Sequence, residues 1–204
     1  MSDILQIHPD NPQPRLIAKA ANIVTSGGLI VYPTDSCYAL GCSLGNKEAL
    51  DRIRQIRQVD TKHNFTLVCR DLSELGLYSV VDNSSFRLLK SHTPGPYTFV
   101  LKATREVPKR MQQPKRRTIG LRIPEHTVTQ ALLEQLDQPL MSSTLLLPSD
   151  EEPLSDIDEI SQRLGHLVDL VIDGGYCGTE ATTVVDLADD GYQVLRQGKK
   201  TFPQ

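Results

Sequence analysis

The chain has 204 residues, of which 39% are hydrophobic and 23% charged, with a formal net charge of −3. That length favours one domain over residues 1–204, with its core at about 10–200. The mild acidity excludes a polycation, and there is no apolar run long enough to span a membrane. The polar, proline-rich opening MSDILQIHPDNPQPR lacks the basic start and apolar core of a secretory signal, so a cytoplasmic location is expected.

In chain order, residues 16–26 read as a helix with Leu16, Ile17, Ala20, Ile23 and Val24 on one face, ended by Gly27-Gly28. Residues 29–32 are a fully apolar strand, as expected of one buried on both faces, and Pro33-Thr34 stop it. Asn46 caps a second helix over 46–58, with Ala49, Leu50, Ile53 and Ile56 inward. A polar loop, 59–64, leads to a strand at 65–69. Asp71 or Ser73 starts a short helix, and another covers 84–90. Thr93-Pro94-Gly95-Pro96 is a stiff bend before a strand at 97–103. A strand at 118–124 ends on Pro124, and a helix follows at 127–136. Residues 139–148 form a strand with a polar centre. Ser155 begins a helix, with Asp158 in the capping-box position. Three late strands lie in 168–175, 181–187 and 192–196. This is the pattern of a single α/β domain with a mixed sheet and flanking helices.

The four cysteines, Cys37, Cys42, Cys69 and Cys177, form no CxxC and no zinc spacing with histidine. They read as reduced, buried thiols, and no metal site is expected. From Arg105 to Arg122 seven cations face one acid, Glu106, whereas 149–159 is acidic. A local basic patch on an acidic chain suggests an anionic ligand or a nucleic-acid contact.

Candidate function lies where polar residues interrupt apolar strands. In YPTDSCYALG, residues 32–41, a buried strand runs into hydroxyls and one carboxylate. Strand ends are where α/β sheets bind ligands, although Asp35 could equally cap a turn. Ser142-Ser143-Thr144 sit inside an apolar strand, and each hydroxyl left unpartnered there would cost roughly 1–3 kcal/mol. They either bond one another and the backbone or line a cleft. Gly174-Gly175, Gly178 and Thr182-Thr183 suit either a tight turn or a phosphate contact. Arg57, Lys62 and His63, with Arg122 and Arg196 at strand ends, are the cationic candidates, against a reading as surface ion pairs. Neither a catalytic triad nor a Gly-x-Ser-x-Gly is present. Catalysis here would rest on positioning and charge stabilisation, as in nucleotidyl transfer.

Taken together, YPTDSCYALG, PGPYTFVLK, TIGLRIPEH, PLMSST, VDLVIDGG, ATTVVDL and VLRQG resemble, in order and spacing, the YrdC/YciO family of the threonylcarbamoyl-AMP synthase superfamily. HPDNPQ, HNFTLVCRDLSEL and KRRTIG place the likeness in the YciO branch. The resemblance implies a twisted sheet with a concave, basic cleft. It implies condensation of L-threonine, bicarbonate and ATP, with Mg²⁺ carried on the phosphates, to threonylcarbamoyl-AMP and pyrophosphate for tRNA modification. Thr34, Ser36 and Tyr38 would then line the amino-acid end. Arg122 would hold its carboxylate, with Thr98 and Thr118 nearby. Thr182 and Arg196 would face the nucleotide. A non-catalytic role in binding double-stranded RNA, through 105–122, or in binding nucleotide is the alternative.

Two departures stand out. Where the synthases carry Lys-x-Arg, this chain has Arg57-Gln58-Val59, and where they carry Ser-x-Asn it has Thr144-Leu145-Leu146. Arg57 and Thr144 would keep half of the grip on ATP, with Lys62 or His63 as stand-ins for the lost cation. Each lost contact costs roughly 1.5–3 kcal/mol, or tenfold to over a hundredfold.

Overall fold

The structure is a computed structural model and describes residues 2–60 and 63–203. Its helices are α1 (Pro14–Thr25), α2 (Lys47–Arg57), α3 (Leu72–Tyr78), α4 (Asn83–His92), α5 (Thr127–Leu136) and α6 (Ile157–Leu164). Four of them start on a side chain that accepts a backbone N–H three residues on: Asn46 from Ala49, Asp71 from Glu74, Asp82 from Ser85 and Asp156 from Glu159. Each such cap stabilises by about 1 kcal/mol. The sixth helix is therefore capped by Asp156, not Ser155. The Glu159 carboxylate turns to Arg163 at 2.9 Å and does not close a capping box.

The strands are β1 (Asp3–Gln6), β2 (Ile30–Tyr32), β3 (Ala39–Ser43), β4 (Thr66–Val68), β5 (Tyr97–Lys102), β6 (Thr118–Arg122), β7 (Leu140–Thr144), β8 (Leu170–Asp173), β9 (Thr183–Asp186) and β10 (Gln193–Arg196). Among the described residues they form one mixed sheet in the order β1-β8-β2-β3-β7-β4-β6-β5-β9-β10. Two strands were not expected. β1 pairs in parallel with β8 at the sheet edge, in a stretch whose prolines argue against a strand only from Pro9 onward. β3 begins inside the segment, residues 32–41, read as a ligand site or a turn. Its Gly41 breaks the apolar alternation, yet glycine is required there. A β-carbon would stand 2.7 Å from the Tyr32 ring, which packs across β3.

Alternation divides the sheet's side chains between two faces. One face carries Val31, Leu40, Met141, Leu67, Leu121, Phe99 and Val185 and is buried under α2, α3, α4 and α6. The opposite face carries Ile30, Tyr32, Leu170 and Ile172, buried under α1 and α5. Those two helices pack on each other and cover the β1-β8-β2-β3 side. Beyond Leu140 and Val68 this face has no helix over it, and the residues there change character.

Candidate functional site

Across the uncovered part of that face, strand pairing aligns Gly41, Ser142, Thr66, Gly120, Val100 and Asp186 in one row. Alternation adds Ala39, Thr144, Thr118, Arg122, Thr98 and Val184 to the same face. All but Gly41 line a cleft of about 700 Å³. Gly120 keeps its floor low, since a β-carbon there would lie 3.1 Å from Thr66 Oγ1 and 3.3 Å from Thr98 Cγ2. Small and hydroxyl-bearing side chains thus replace apolar ones where the helices stop.

Several buried hydroxyls find partners on the floor itself. Thr98 and Thr182 hydroxyls share a hydrogen bond of 2.8 Å. Ser142 Oγ meets Tyr32 Oη at 2.7 Å. Burial pushes that phenol up to about 12, so it stays protonated. Cys37 also lines the cleft, but burial raises its thiol, and the described residues give it no base. All four cysteines are free and buried.

At the β7 end stands Arg57, in the last turn of α2. The helix stops at Gln58, which takes a left-handed φ of 49° and turns the chain away. Arg57 donates Nε to the Leu146 carbonyl at 3.1 Å and Nη1 to Ser143 Oγ at 2.6 Å. His63 Nε2 lies 3.3 Å from both Arg57 Nη1 and Ser143 Oγ. Burial and the guanidiniums of Arg57 and Arg54 lower His63 to about 4, so it is neutral near pH 7. Ser143 has the opposite parity to Ser142 and Thr144, which puts it on the α2 side within reach of this cluster. Leu145, next to it, is fully buried. Lys62 lies outside the described residues.

At the β6 strand end Arg122 donates Nη2 to Asp35 and Nη1, at 3.3 Å, to Ser36 Oγ. The Arg122 and Asp35 side chains are only 9% and 7% exposed. Asp35 also accepts Glu125 N–H at 2.9 Å, and its backbone oxygen accepts Lys199 Nζ at 2.6 Å. Asp35 is therefore both a turn cap and the partner of a cleft arginine. Thr34 donates to the Cys37 carbonyl at 2.6 Å and faces Ser36 Oγ at 3.1 Å. Thr34 and Ser36 thus shape the loop and do not line the cleft. Tyr38 is fully buried, and its hydroxyl donates to the Gly175 carbonyl at 2.7 Å, holding the Gly174-Gly175 turn.

At the far end Arg196 donates Nε and Nη2 to the Thr182 carbonyl, at 3.2 and 2.9 Å. Of the basic segment, Arg116 spans the end of the floor to Asp186 and Asp189. Arg110 donates to the Gly45 carbonyl. Arg105, Lys109, Lys115 and Arg117 are exposed. Two of the four cleft arginines, Arg116 and Arg122, are thus neutralised by carboxylates, and Glu151 and Glu152 line the β7 side. Neither Arg57 nor Arg196 has a carboxylate within ion-pair distance among the described residues. No group of three His, Cys, Asp or Glu side chains there is arranged to hold a metal ion, and no helix is long and apolar enough to cross a membrane.

Sequence reasoning found the arginines and most of the hydroxyls, but not Thr66, Gly120, Asp186 or Glu151-Glu152. The first three follow only from strand pairing.

The chain matches the Sua5/yciO/yrdC family model, described as telomere recombination, over residues 22–198. It is 58% identical over 198 residues to the uncharacterised protein YciO of Escherichia coli K12, covering 97% of this chain and 96% of that one. The crystal structure of E. coli YciO superposes with a TM-score of 0.95 at 57% identity, covering 98% of each chain. The crystal structure of P. abyssi Sua5 complexed with L-threonine gives 0.88 at 23% identity, covering 97% of this chain and 58% of that one, a likeness of fold.

Proposed function

The chain belongs to the Sua5/YciO/YrdC family, and from that premise we propose that its cleft binds an adenine nucleotide and a small amino-acid carboxylate and performs chemistry of the threonylcarbamoyl-AMP synthase type. The observation that carries this reading is the uncovered floor. Hydroxyls, a glycine and small apolar side chains lie open there, whereas the covered part of the same face is apolar, and arginines stand along the open part. The presence of L-threonine in the Sua5 neighbour supports a small polar amino acid as one ligand.

In this reading threonine nitrogen and bicarbonate lose water to form a carbamate. A carbamate oxygen attacks the α-phosphorus of ATP, the bond to the β-phosphate oxygen breaks, and pyrophosphate leaves with its electrons. No protein nucleophile is needed. The protein's part is to orient the two anions and offset their charge. Arg122, fixed by Asp35, stands at the strand end for the carboxylate. Arg57 with Thr144, and Arg196 with Thr182, flank the nucleotide. Mg²⁺ enters on the phosphates.

The test is pyrophosphate release by the purified chain with ATP, Mg²⁺ and bicarbonate, with and without L-threonine. Threonine-dependent release that disappears in Arg122→Ala is expected. Release indifferent to threonine, or normal turnover in Arg122→Ala, would overturn these roles.

A further inference from the structure

The state of the cleft's guanidinium donors bears on which nucleotide it prefers. An arginine has five N–H donors, and a polyphosphate is held by several of them converging on adjacent phosphates. Here six of the eight terminal nitrogens on Arg57, Arg116, Arg122 and Arg196 already make a hydrogen bond. Arg116 gives both terminal nitrogens to Asp186 and Asp189. Arg122 gives its two to Asp35 and Ser36. Arg57 gives Nε and Nη1 to Leu146 and Ser143, and Arg196 gives Nε and Nη2 to Thr182. Among the described residues this leaves one terminal nitrogen on Arg57 and one on Arg196, while Arg122 keeps a buried Nε without a partner, set aside for the carboxylate.

The residues that anchor those two heads are far apart. Arg57 is tied to β7 and Arg196 to the residue before β9, and β4, β6 and β5 lie between. Four inter-strand spacings amount to roughly 19 Å along the floor. The two cannot converge on one triphosphate. His63 adds no charge near neutral pH, and Glu151 and Glu152 oppose a run of phosphates at the β7 end.

We infer that this cleft prefers nucleotides with a single phosphate, AMP and acyl-adenylates, over nucleoside triphosphates. The inference rests on the nucleotide reading above and sharpens it. The adenylate is the better-held end of the reaction, so the cleft retains its product and discharges triphosphate readily. Each free arginine nitrogen serves one anionic group, and a lone phosphate engages one of the two arginines and not both.

The experiment is calorimetric titration of the full chain with AMP and with MgATP, repeated on Arg57→Gln and Arg196→Gln. AMP is expected to bind at least as tightly as MgATP. One variant should weaken AMP about tenfold, the loss of one charged hydrogen bond, while the other moves it less than about twofold. MgATP binding tighter than AMP overturns the inference and leaves the nucleotide reading standing. Equal weakening of AMP by both variants also overturns it, because the two heads would then share one phosphate. Silence of both ligands overturns the nucleotide reading, and this inference with it. Circular dichroism of each variant separates lost binding from lost folding.

Discussion

One face of the sheet is built in two ways. Over β1, β8 and β2 it shows Leu5, Ile30, Tyr32, Leu170 and Ile172, and α1 and α5 bury them with Val128, Leu132 and Leu133. Over β7, β4, β6 and β5 the same parity shows Ser142, Thr66, Gly120, Thr118 and Thr98, with no helix above. The strands are continuous and the pairing regular across the border, so backbone geometry is not what distinguishes the halves. Side-chain chemistry is. The covered half stabilises the fold through apolar burial. The open half pairs some of its hydroxyls along the floor, Thr98 with Thr182 and Ser142 with Tyr32, and leaves space for a ligand. Arg122 and Asp35 stand where the two halves meet, buried like the first and polar like the second.

Breaking that border should have the largest effect. Arg122→Ala leaves the Asp35 carboxylate buried without its counter-ion, which costs about 3–5 kcal/mol. Denaturant midpoints would show it as a large loss. A double change, Arg122→Met with Asp35→Leu, removes both charges and should recover at least half of that stability while activity stays lost. A double variant no more stable than Arg122→Ala would mean that Asp35 matters for the Glu125 N–H and the loop, not for the ion pair.

The two halves themselves then separate. Leu132→Ala, under the covered half, should cost about 2–5 kcal/mol through lost burial and a cavity. It should leave ligand affinity unchanged in the protein that remains folded. Thr98→Val, on the open half, removes one hydrogen bond to Thr182 and should cost only about 1 kcal/mol. Its effect should appear in binding. Equal stability losses at the two sites would contradict the division of labour.

Much of the covered half was legible in the sequence, because its apolar residues recur with the periods that helices and strands require. Residues 16–26 and 127–136 showed α1 and α5 within a few residues. The buried strand at 29–32 announced β2 by its uninterrupted apolar run. The open half was legible only in fragments. Ser142-Ser143-Thr144 read as three equivalent hydroxyls, yet strand parity sends Ser142 and Thr144 to the open face of the sheet, and Ser143 to Arg57 and His63 at the edge of the cleft. The resemblance implied Tyr38 at the amino-acid end, but it is buried in the core just before β3, with its hydroxyl on the Gly175 carbonyl. Thr66 and Gly120 carry no local signal at all. Their place on the floor comes from β4 pairing with β6 and β7, partners at least fifty residues away.

The smallest expected effect concerns His63, at the β7 end of the open half, and its sign can be worked out. The unfolded chain binds a proton on this imidazole near its ordinary pKa of about 6.5. The folded protein resists protonation until about pH 4, since burial and the Arg57 and Arg54 guanidiniums oppose the charge, with Asp60 acting weakly the other way. Between those values the unfolded state holds more protons, so stability falls as pH drops from 6.5 to 4 and is level above. His63→Gln keeps a polar partner for Ser143 and removes the titration. Melting both proteins from pH 4 to 8 should give curves that run parallel above about pH 7 and diverge below 6.5, with the wild type losing more. Parallel curves across the whole range would mean that the imidazole reaches water and is not held neutral beside Arg57.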